Sequence, residues 1–333
     1  MATDSKGLIS SLLLQPATPA TPTAPTSWSG VDGTIGSVAP QVKLLVARVN
    51  GSTCTPVHAI GASAAAPLGS AFKLYVLDAL ARAIAAGTVS WTQQLTVTSQ
   101  VKSLPSGTLQ NDPAGTKVSV LQAATLMISI SDNTAANMLI GLVGRSAVEA
   151  AAKDTGMADP ALDTPFLTTR ELFVLKLDDW PKLADRYLAL DSAGRQALLT
   201  STIDKVPLSA LSAASWTAPR DIGSLEWFAS PTDICHVFAS LASLARQPGL
   251  APLSGILSKN SGSLSSGSWR TIWFKGGSEP GVLTLNYLVT NAAGRSYVVS
   301  ALTANPSAAI DEGTATPKLL SGITGALQLA SVS

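Results

Sequence analysis

The sequence predicts an α+β domain in which both ends of the chain contribute strands to one sheet. A strand pair is predicted near the start, at 42–60, three strands follow one another at 269–304, and mostly helical patterns lie between them. The chain has 333 residues, of which 46% are apolar and 13% are charged. It is therefore long enough to bury a core and too poor in charge to be a disordered chain.

The first predicted elements are a hairpin and a buried helix. The apolar, β-branched segment Val42–Val49 is typical of a strand, Asn50-Gly51 is a strong turn signal, and 56–60 returns as the second strand. After Ser70, a nearly all-apolar helix is predicted over 71–81. Because this helix is apolar on every side, we expect it to be buried in the middle of the domain.

The remaining elements follow from apolar periodicity and from clusters of Gly, Pro and Ser. Helices are predicted at 118–130, 133–143, 146–155, between the prolines of 180–245 and at 317–330, and strands at 269–274, 282–289 and 296–304 after a Gly/Ser-rich loop at 261–268.

The first thirty residues differ from the rest of the chain. Leu8–Leu14 is apolar and strand-like, and prolines then recur every third residue from Pro16 to Pro25, which is typical of an extended linker. The apolar stretch is too short for a membrane-spanning helix or a convincing secretory signal. We therefore predict that 1–30 is the residual strand of a removed upstream domain with a Pro-rich linker, and that 31–333 is one globular domain.

The composition argues against several classes of function. Lys and Arg number 22 against 21 Asp and Glu, so the net charge is +1, and without a basic run we expect no nucleic-acid partner. The two cysteines, Cys54 and Cys235, make a disulfide possible but do not imply one. With only two histidines, we expect no metal site, and we interpret Cys235 as a core thiol beside an ordinary His236.

Ser70-Ala71-Phe72-Lys73 places a nucleophile and a base one helical turn apart. A serine hydroxyl needs a base to take its proton, and a lysine can be that base only when burial or nearby positive charge makes it neutral. A second copy of this spacing, from Ser99 to Lys102, lies in a polar strand-like segment, so the spacing alone has little specificity. Only Ser70 precedes a buried helix, whose exposed N–H groups suit an oxyanion.

Ser131-Asp132-Asn133 lies at the junction of two predicted helices. All three residue types are good helix N-caps, and the tripeptide alone favours that structural interpretation. In the functional interpretation, Ser131 relays a proton and Asn133 donates hydrogen bonds to a substrate and to Lys73.

Lys275-Gly276-Gly277-Ser278 ends a predicted strand. The Gly pair is typical of a turn. In the functional interpretation, the glycines let a substrate lie along the strand edge, and Lys275 supplies positive potential.

In this order and context, the three motifs resemble those of the β-lactamase and penicillin-binding serine acyl-transferase superfamily, most closely its class A branch. The segment 128–137 is similar to the family's helix-turn-helix around Ser131, and the resemblance covers about 31–333. It implies a mostly antiparallel sheet flanked by helices, plus an all-helical lobe that bears Ser131. The active site is expected between the two lobes.

The resemblance also implies roles for the motif residues. Ser70 would be the acylated nucleophile, Lys73 its general base, and Ser131 the proton relay to the leaving group. The substrate-binding residues would be Asn133, which holds Lys73 and a substrate amide, Lys275, which complements a carboxylate, and Gly277 and Ser278 on the strand edge. The backbone N–H groups of Ser70 and Ser278 would form the oxyanion hole, and no cofactor is expected.

One departure from the family pattern concerns deacylation. The family carries its water-activating glutamate in a Glu-x-x-x-Asn pattern, on a loop after the Ser-Asp-Asn helix. No such pattern follows that helix here, and Leu167-Thr168-Thr169 is similar to the family segment after the loop. We expect Glu171 to face solvent or to pair with an arginine. Asp159 and Asp163 are conceivable substitutes, but turn chemistry explains both.

Two further departures concern the substrate. Gly276 stands where the family carries a Thr or Ser hydroxyl that helps to bind the substrate carboxylate. A long stretch at 180–268 contains Trp180, Trp216 and Trp227, which could cover the site but are interpreted as core residues.

The resemblance is strongest to the β-lactamase-like domain of clavulanic-acid-cluster proteins and actinobacterial lipoprotein relatives, in which a small α+β domain and a linker come first. It implies a weak serine esterase with poor β-lactam hydrolysis that acts on a small-molecule ester or β-lactam-like substrate. The alternatives are a DD-peptidase acting on peptidoglycan and a non-catalytic protein that binds a β-lactam or cell-wall ligand. We expect the full-length protein to be secreted or lipoprotein-anchored, or alternatively cytoplasmic.

Overall fold

The computed structural model describes residues 2–3, 9–11 and 22–332 of the chain. The strands are β1 Ala2–Thr3, β2 Ile9–Ser11, β3 Gln41–Asn50, β4 Thr53–Ile60, β5 Ala66–Pro67, β6 Gln94–Thr96, β7 Lys117–Ser119, β8 Phe228–Ala229, β9 Trp269–Glu279, β10 Val282–Asn291 and β11 Ser296–Ala304. The α-helices are α1 Trp28–Gly36, α2 Lys73–Ala85, α3 Val120–Ser129, α4 Asn133–Val143, α5 Arg145–Asp154, α6 Thr169–Leu177, α7 Lys182–Leu188, α8 Ser192–Ser201, α9 Pro231–Leu244, α10 Pro252–Leu257 and α11 Glu312–Val332. Between them lie short 3₁₀ helices, of which Gly69–Phe72 directly precedes α2.

The main sheet joins the two ends of the domain. Its five strands lie in the order β4-β3-β11-β10-β9, and each neighbouring pair is antiparallel. The α+β class and the closure of one sheet by both ends of the chain are therefore confirmed.

Strand β3 shows how the sheet separates two apolar layers. Leu44 and Val46 pack in a cluster with α1 and α11, whereas Leu45 and Ala47 pack in the larger cluster with α2 and α9. Because successive side chains of a strand point to opposite faces, the four consecutive apolar residues serve both layers. Helices thus cover the sheet on both sides.

The predicted hairpin has one irregularity, at its proline. Strand β4 pairs with β3 as an edge strand, and the register shifts between Val46 and Ala47, where Pro56 lies opposite Ala47. Proline has no N–H to donate to a ladder, and edge strands and bulges are the places where sheets accept it.

The apolar helix predicted after Ser70 is α2, and it lies at the centre of the second lobe. Every residue from Lys73 to Ala81 is buried. Helices α3, α4, α5 and α9 contact α2, and α4 also contacts α3, α5 and α6, so the helical lobe that carries Ser131 is built around α2. The lobe and the sheet share one apolar cluster.

Of the two interpretations of Lys275–Ser278, the structure excludes the turn, because β9 runs through the segment to Glu279 and pairs with β10 along its length. Three other local expectations were wrong. Pro231 occupies the first turn of α9 instead of interrupting a helix, since a first-turn N–H needs no partner within the helix. Ser99 lies in a turn after β6, outside any strand. Cys235 is no free thiol, because it forms a disulfide with Cys54.

The start of the chain lies partly outside the described residues. Strand β2 pairs antiparallel with β1 and falls within the predicted strand Leu8–Leu14. The rest of that predicted strand, and the first two prolines of the predicted linker, lie outside the described residues. The carbonyl of Thr23 accepts a hydrogen bond from the Ser321 hydroxyl of α11 at 3.0 Å, so packing on the domain begins before residue 31. The upstream domain stays a prediction.

The disulfide connects the edge of the sheet to the helix that packs on it. Cys54 lies on β4, Cys235 lies fully buried on α9, and 181 residues separate them in the sequence. In the part of the chain that the structure describes, no helix is long and apolar enough to span a bilayer.

Replacing both cysteines by alanine is expected to destabilise the domain. A cross-link over a loop of this length restricts the unfolded chain, so its loss should lower the free energy of unfolding by about 2–5 kcal/mol. Thermal melting with and without reductant measures the effect. Reductant should lower the Tm of the wild type and leave the double variant unchanged; an unchanged wild-type Tm after complete reduction would contradict the expectation.

Candidate active site

Ser70 lies in the 3₁₀ turn that precedes α2, at the junction of the sheet and the helical lobe. Gly69 has φ +50°, and a Cβ built on it would lie 2.8 Å from the backbone nitrogen of Ser278 on β9. Glycine at 69 therefore serves both a left-handed backbone and a close strand approach. Ser70 itself is half-buried and lines a cleft between the sheet and the helical lobe.

Lys73 lies fully buried one turn beyond Ser70. Its Nζ is 3.0 Å from Ser70 Oγ, 3.0 Å from Ser131 Oγ, 2.6 Å from the Ser131 carbonyl oxygen and 2.6 Å from Asn133 Oδ1. An ammonium has three hydrogens for these four neighbours. A neutral amine fits them when one hydroxyl donates to its lone pair.

Electrostatics favours the neutral form of Lys73. Burial is the main cause that holds the pKa of Lys73 well below its ordinary value, and the charge of Lys275 lowers it further, against a smaller opposite effect of Asp132. Burial also lowers the pKa of Lys275 to about 7. The surroundings of both lysines therefore favour the neutral amine.

The Ser131-Asp132-Asn133 tripeptide combines a helix cap with a pair of site residues. Asp132 caps α4 by accepting from the Ala135 amide at 2.8 Å, and its other oxygen accepts from the amide of Thr108 at 2.7 Å. Ser131, at φ +59°, and Asn133 meet Lys73. Asn133 accepts from Lys73 with Oδ1, which corrects the expected donor role toward the lysine, and its Nδ2 donates to the carbonyl of Leu104 at 3.1 Å.

Lys275 connects strand β9 to the same cluster. Its Nζ donates to Ser131 Oγ at 3.1 Å and to the carbonyl oxygen of Gly276 at 2.6 Å. The Ser131 hydroxyl thus lies between the two lysines. This hydroxyl can accept a hydrogen bond from one amine and donate one to the other, which is the arrangement that a proton relay needs.

Gly277 brings the β9 backbone against the Ser70 turn. A Cβ built there would lie 2.1 Å from the Leu68 carbonyl oxygen and 2.6 Å from the Ser70 nitrogen, so only glycine allows this approach. Thr284 Oγ1 on β10 donates to the same Leu68 oxygen at 3.0 Å. Ser70, Gly277 and Ser278 consequently line one cleft, as the sequence motifs predict.

The glycine at 276 has a structural reason. A Cβ on Gly276 would lie 2.9 Å from the ring of Phe274, which belongs to the same face of β9. The Phe274 ring also occupies the space beside Gly262, where a Cβ would lie 2.5 Å away, and it packs 4.8 Å from the ring of Tyr287. The aromatic ring therefore covers the place of the family's hydroxyl side chain.

The cleft has a volume of about 690 Å³ and extends from Ser70 to residues of the long stretch at 180–268. The rings of Phe173 and Trp216 pack edge to face in its wall, with their centroids 5.9 Å apart. The rings of Trp227 and Phe72, which also line the cleft, stack with their centroids 3.7 Å apart. Trp216 and Trp227 are thus both core residues and cleft residues, whereas Trp180 is 38% exposed and is no core residue.

The carboxylates considered as replacements for the family's glutamate lie elsewhere. Glu171 is buried and pairs with Arg145 at 2.6 Å, so the arginine pairing was right and the solvent-facing alternative wrong. Glu171 also caps α6 through Thr168. Asp163 is buried and accepts from the Phe228 amide at 2.8 Å, outside the residues that line the cleft.

Sequence reasoning missed three charged residues at the cleft wall. Glu226 and Glu279 line it, and Lys176 lies between them, 2.5 Å from Glu279 Oε1 and 4.0 Å from Glu226 Oε2. Their distance in sequence hid the cluster. The one available signal was Glu279, which directly follows the Lys-Gly-Gly-Ser motif.

The second Ser-x-x-Lys copy is no site. Ser99 is exposed and donates to the neighbouring Gln100 side chain, and Lys102 donates to the Asp112 carbonyl at 2.6 Å. Neither residue lines the cleft. Among the described residues there is also no cluster of three potential metal ligands.

The fold and the clustered serine and lysine side chains define a serine hydrolase. The model of the beta-lactamase enzyme family matches residues 41–325, and the chain belongs to that family. No curated protein matches the chain.

Solved structures share the fold at low sequence identity. A beta-lactamase from Sphaerobacter thermophilus is 20% identical at a TM-score of 0.65, covering 93% of this chain and 99% of that chain. A PBP-A mutant, solved as its acyl-enzyme complex with penicillin G, is 18% identical at a TM-score of 0.60, with 93% and 99% covered. A beta-lactamase from Chitinophaga pinensis is 14% identical at a TM-score of 0.61, with 92% and 98% covered. These structures confirm the β-lactamase/transpeptidase-like fold.

A Gly277→Ala change is expected to separate β9 from the Ser70 turn. Its methyl group would overlap the Leu68 carbonyl and the Ser70 nitrogen, and overpacking of this kind costs about 1–3 kcal/mol. Gly255→Ala is the matched control, because Gly255 lies in α10 with nothing within 4 Å of a built Cβ. Thermal melting should show a lower Tm for the first variant alone; equal Tm values would contradict the close approach.

Proposed function

We propose that this chain is a serine acyl-enzyme hydrolase, a weak esterase that hydrolyses β-lactams poorly. The observation that carries the proposal is the environment of Lys73, a fully buried amine that contacts Ser70 Oγ, Ser131 and Asn133 and forms no ion pair within the described residues. A neutral lysine in hydrogen-bond contact with a serine is the arrangement that activates the hydroxyl.

In the acylation step, Lys73 takes the proton of Ser70 as Oγ attacks the substrate carbonyl carbon. The negative charge that develops on the carbonyl oxygen is stabilised by the backbone N–H groups of Ser70 and Ser278. The bond to the leaving group then breaks, and the leaving group receives a proton through Ser131, which Lys73 replenishes. The products are an ester on Ser70 and a protonated leaving group.

Deacylation is the slow step in this proposal. The glutamate pattern by which the family activates water is missing from the sequence, and the Glu171 carboxylate is committed to Arg145 and to the α6 cap. An ester loses its alcohol on acylation, which opens the cleft to water. A β-lactam keeps its ring-opened amine attached, which shields the acyl carbon. Esters should therefore turn over faster than β-lactams.

One neighbour in fold supports a β-lactam as a reagent. The PBP-A mutant is described as an acyl-enzyme complex with penicillin G, and it covers nearly the whole domain described here. A DD-peptidase is less well supported, because Gly276 and the Phe274 ring leave no hydroxyl for a peptide carboxylate at that position.

Replacing Ser70 by alanine is expected to abolish ester turnover, by roughly 10³-fold or more, because the nucleophile is lost. Ser99→Ala is the matched control, since Ser99 belongs to the same Ser-x-x-Lys spacing on the surface. Steady-state hydrolysis of an activated ester measures both, and intact-mass spectrometry after penicillin G treatment detects the adduct.

The wild type and Ser99→Ala should carry a long-lived adduct, and Ser70→Ala none. An equal loss of turnover in both variants, with folding intact, would overturn the assignment of the nucleophile. Absence of both adduct and turnover in the wild type would favour the non-catalytic binding protein.

A further inference from the structure

Glu226 and Glu279 line the cleft and form a buried charge cluster with Lys176 behind its wall. The side chains of Lys176 and Glu226 are fully buried and that of Glu279 is 5% exposed. Lys176 Nζ also lies 4.8 Å above the ring of Trp216, so one apolar wall of the cleft holds the cation in place. Burying three ionisable side chains costs stability, and clusters of this kind in a cleft are candidates for a functional role.

The cluster has one cation for two carboxylates. Glu279 Oε1 accepts from Lys176 at 2.5 Å, whereas Glu226 Oε2 is buried without a hydrogen-bond partner, and Glu226 Oε1 accepts from the Trp227 amide at 2.9 Å. Burial, and next the charge of Glu226, hold the pKa of Glu279 well above its ordinary value. Repulsion between two carboxylates that share one lysine therefore favours a proton on Glu279.

Two backbone connections place this pair beside the Ser70 turn. Glu279 is two residues after Gly277 on β9, and alternate residues of a strand share a face, about 7 Å apart. Gly277 is the residue whose Cβ would overlap the Ser70 nitrogen. Glu226 precedes Trp227, whose carbonyl oxygen accepts from the Leu68 amide at 2.9 Å and whose ring stacks on Phe72.

We propose that the Glu226–Glu279 pair, held by Lys176, is the base that activates water for deacylation. The inference deepens the proposed function and rests on it, since it concerns the ester formed on Ser70. It assigns the missing step to carboxylates from β9 and from the segment before β8, which line the cleft, and not to Glu171.

In the step itself, a water oxygen attacks the acyl carbon as the ionised carboxylate of the pair takes one water proton. The resulting tetrahedral intermediate collapses with cleavage of the bond between the acyl carbon and Ser70 Oγ. The proton on the pair passes through the cleft to Lys73, and the protonated Lys73 then gives a proton to the departing Ser70 oxygen. The products are a free carboxylic acid and the original enzyme.

The test separates deacylation from acylation in Glu226→Gln and Glu279→Gln. Glu312→Gln is the matched control, because Glu312 lines the same cleft from the exposed start of α11 and forms no ion pair with Lys176. Acylation is followed by the appearance of the penicillin G adduct in intact-mass spectra, and deacylation by its decay after the excess reagent is removed.

Each single variant should acylate at the wild-type rate and lose its adduct roughly 10²-fold more slowly, the usual effect of removing a general base. The double variant should decay no more slowly than either single one, since the pair acts as a unit. Glu312→Gln should match the wild type in both phases.

Three results would overturn the inference. An unchanged adduct lifetime in folded Glu226→Gln and Glu279→Gln would mean that the pair takes no part in deacylation. Slower acylation with an unchanged lifetime would make it a substrate-binding group. Absence of any adduct on the wild type would instead defeat the proposed function together with the inference.

Folding can be tested separately from function in this cluster. Where a single glutamine variant fails to melt cooperatively, Lys176→Met combined with Glu279→Gln removes one charge of each sign and leaves no unpaired cation. This neutral replacement should show the same slow decay, and a wild-type lifetime in it would overturn the proposal.

Discussion

The burial of Lys73 is the constraint on which the rest of the site depends. A lysine with no exposed surface must either find a counterion or be neutral, because an unpaired buried ammonium is costly. Here its neighbours are hydroxyl, carbonyl and amide oxygens from the Ser70 turn and from the α3–α4 junction. The same apolar helix that stabilises the lobe therefore also favours the neutral form of the Lys73 amine. Core packing and chemistry are inseparable at this position.

The second requirement is contact between the lobe and the sheet. Glycines at 69 and 277 let the β9 backbone lie against the Ser70 turn, and Lys275 then reaches Ser131 across the cleft. A side chain at either glycine would separate the nucleophile from the strand edge. At Gly276, which lies between Lys275 and Gly277, the Phe274 ring takes the space of the family's hydroxyl side chain. The strand therefore keeps its motif while its contact with a substrate changes.

The parts of the structure that depend on local pattern could be predicted. The apolar run after Ser70 indicates a buried helix, and the alternating or continuous apolar strands with Asn-Gly and Pro-Gly turns indicate the sheet. The parts that depend on distant residues could not. The partner of Cys54, the cation between Glu226 and Glu279, and the burial of Glu171 arise from tertiary packing. Local preference made a turn at the Gly-Gly pair a reasonable interpretation. Pairing with β10 keeps the pair extended instead, and that pairing could not be seen in the local sequence.

The protonation state of Lys73 is the most direct test of the central claim that a neutral amine activates Ser70. Nuclear magnetic resonance of protein labelled at the lysine Cε and Nζ atoms follows each amine through a pH titration, and Lys73→Met assigns the signal. We expect the Lys73 signal to be that of a neutral amine at pH values where exposed lysines are still charged. A Lys73 that titrates near about 10.4, the ordinary value for lysine, would contradict the claim.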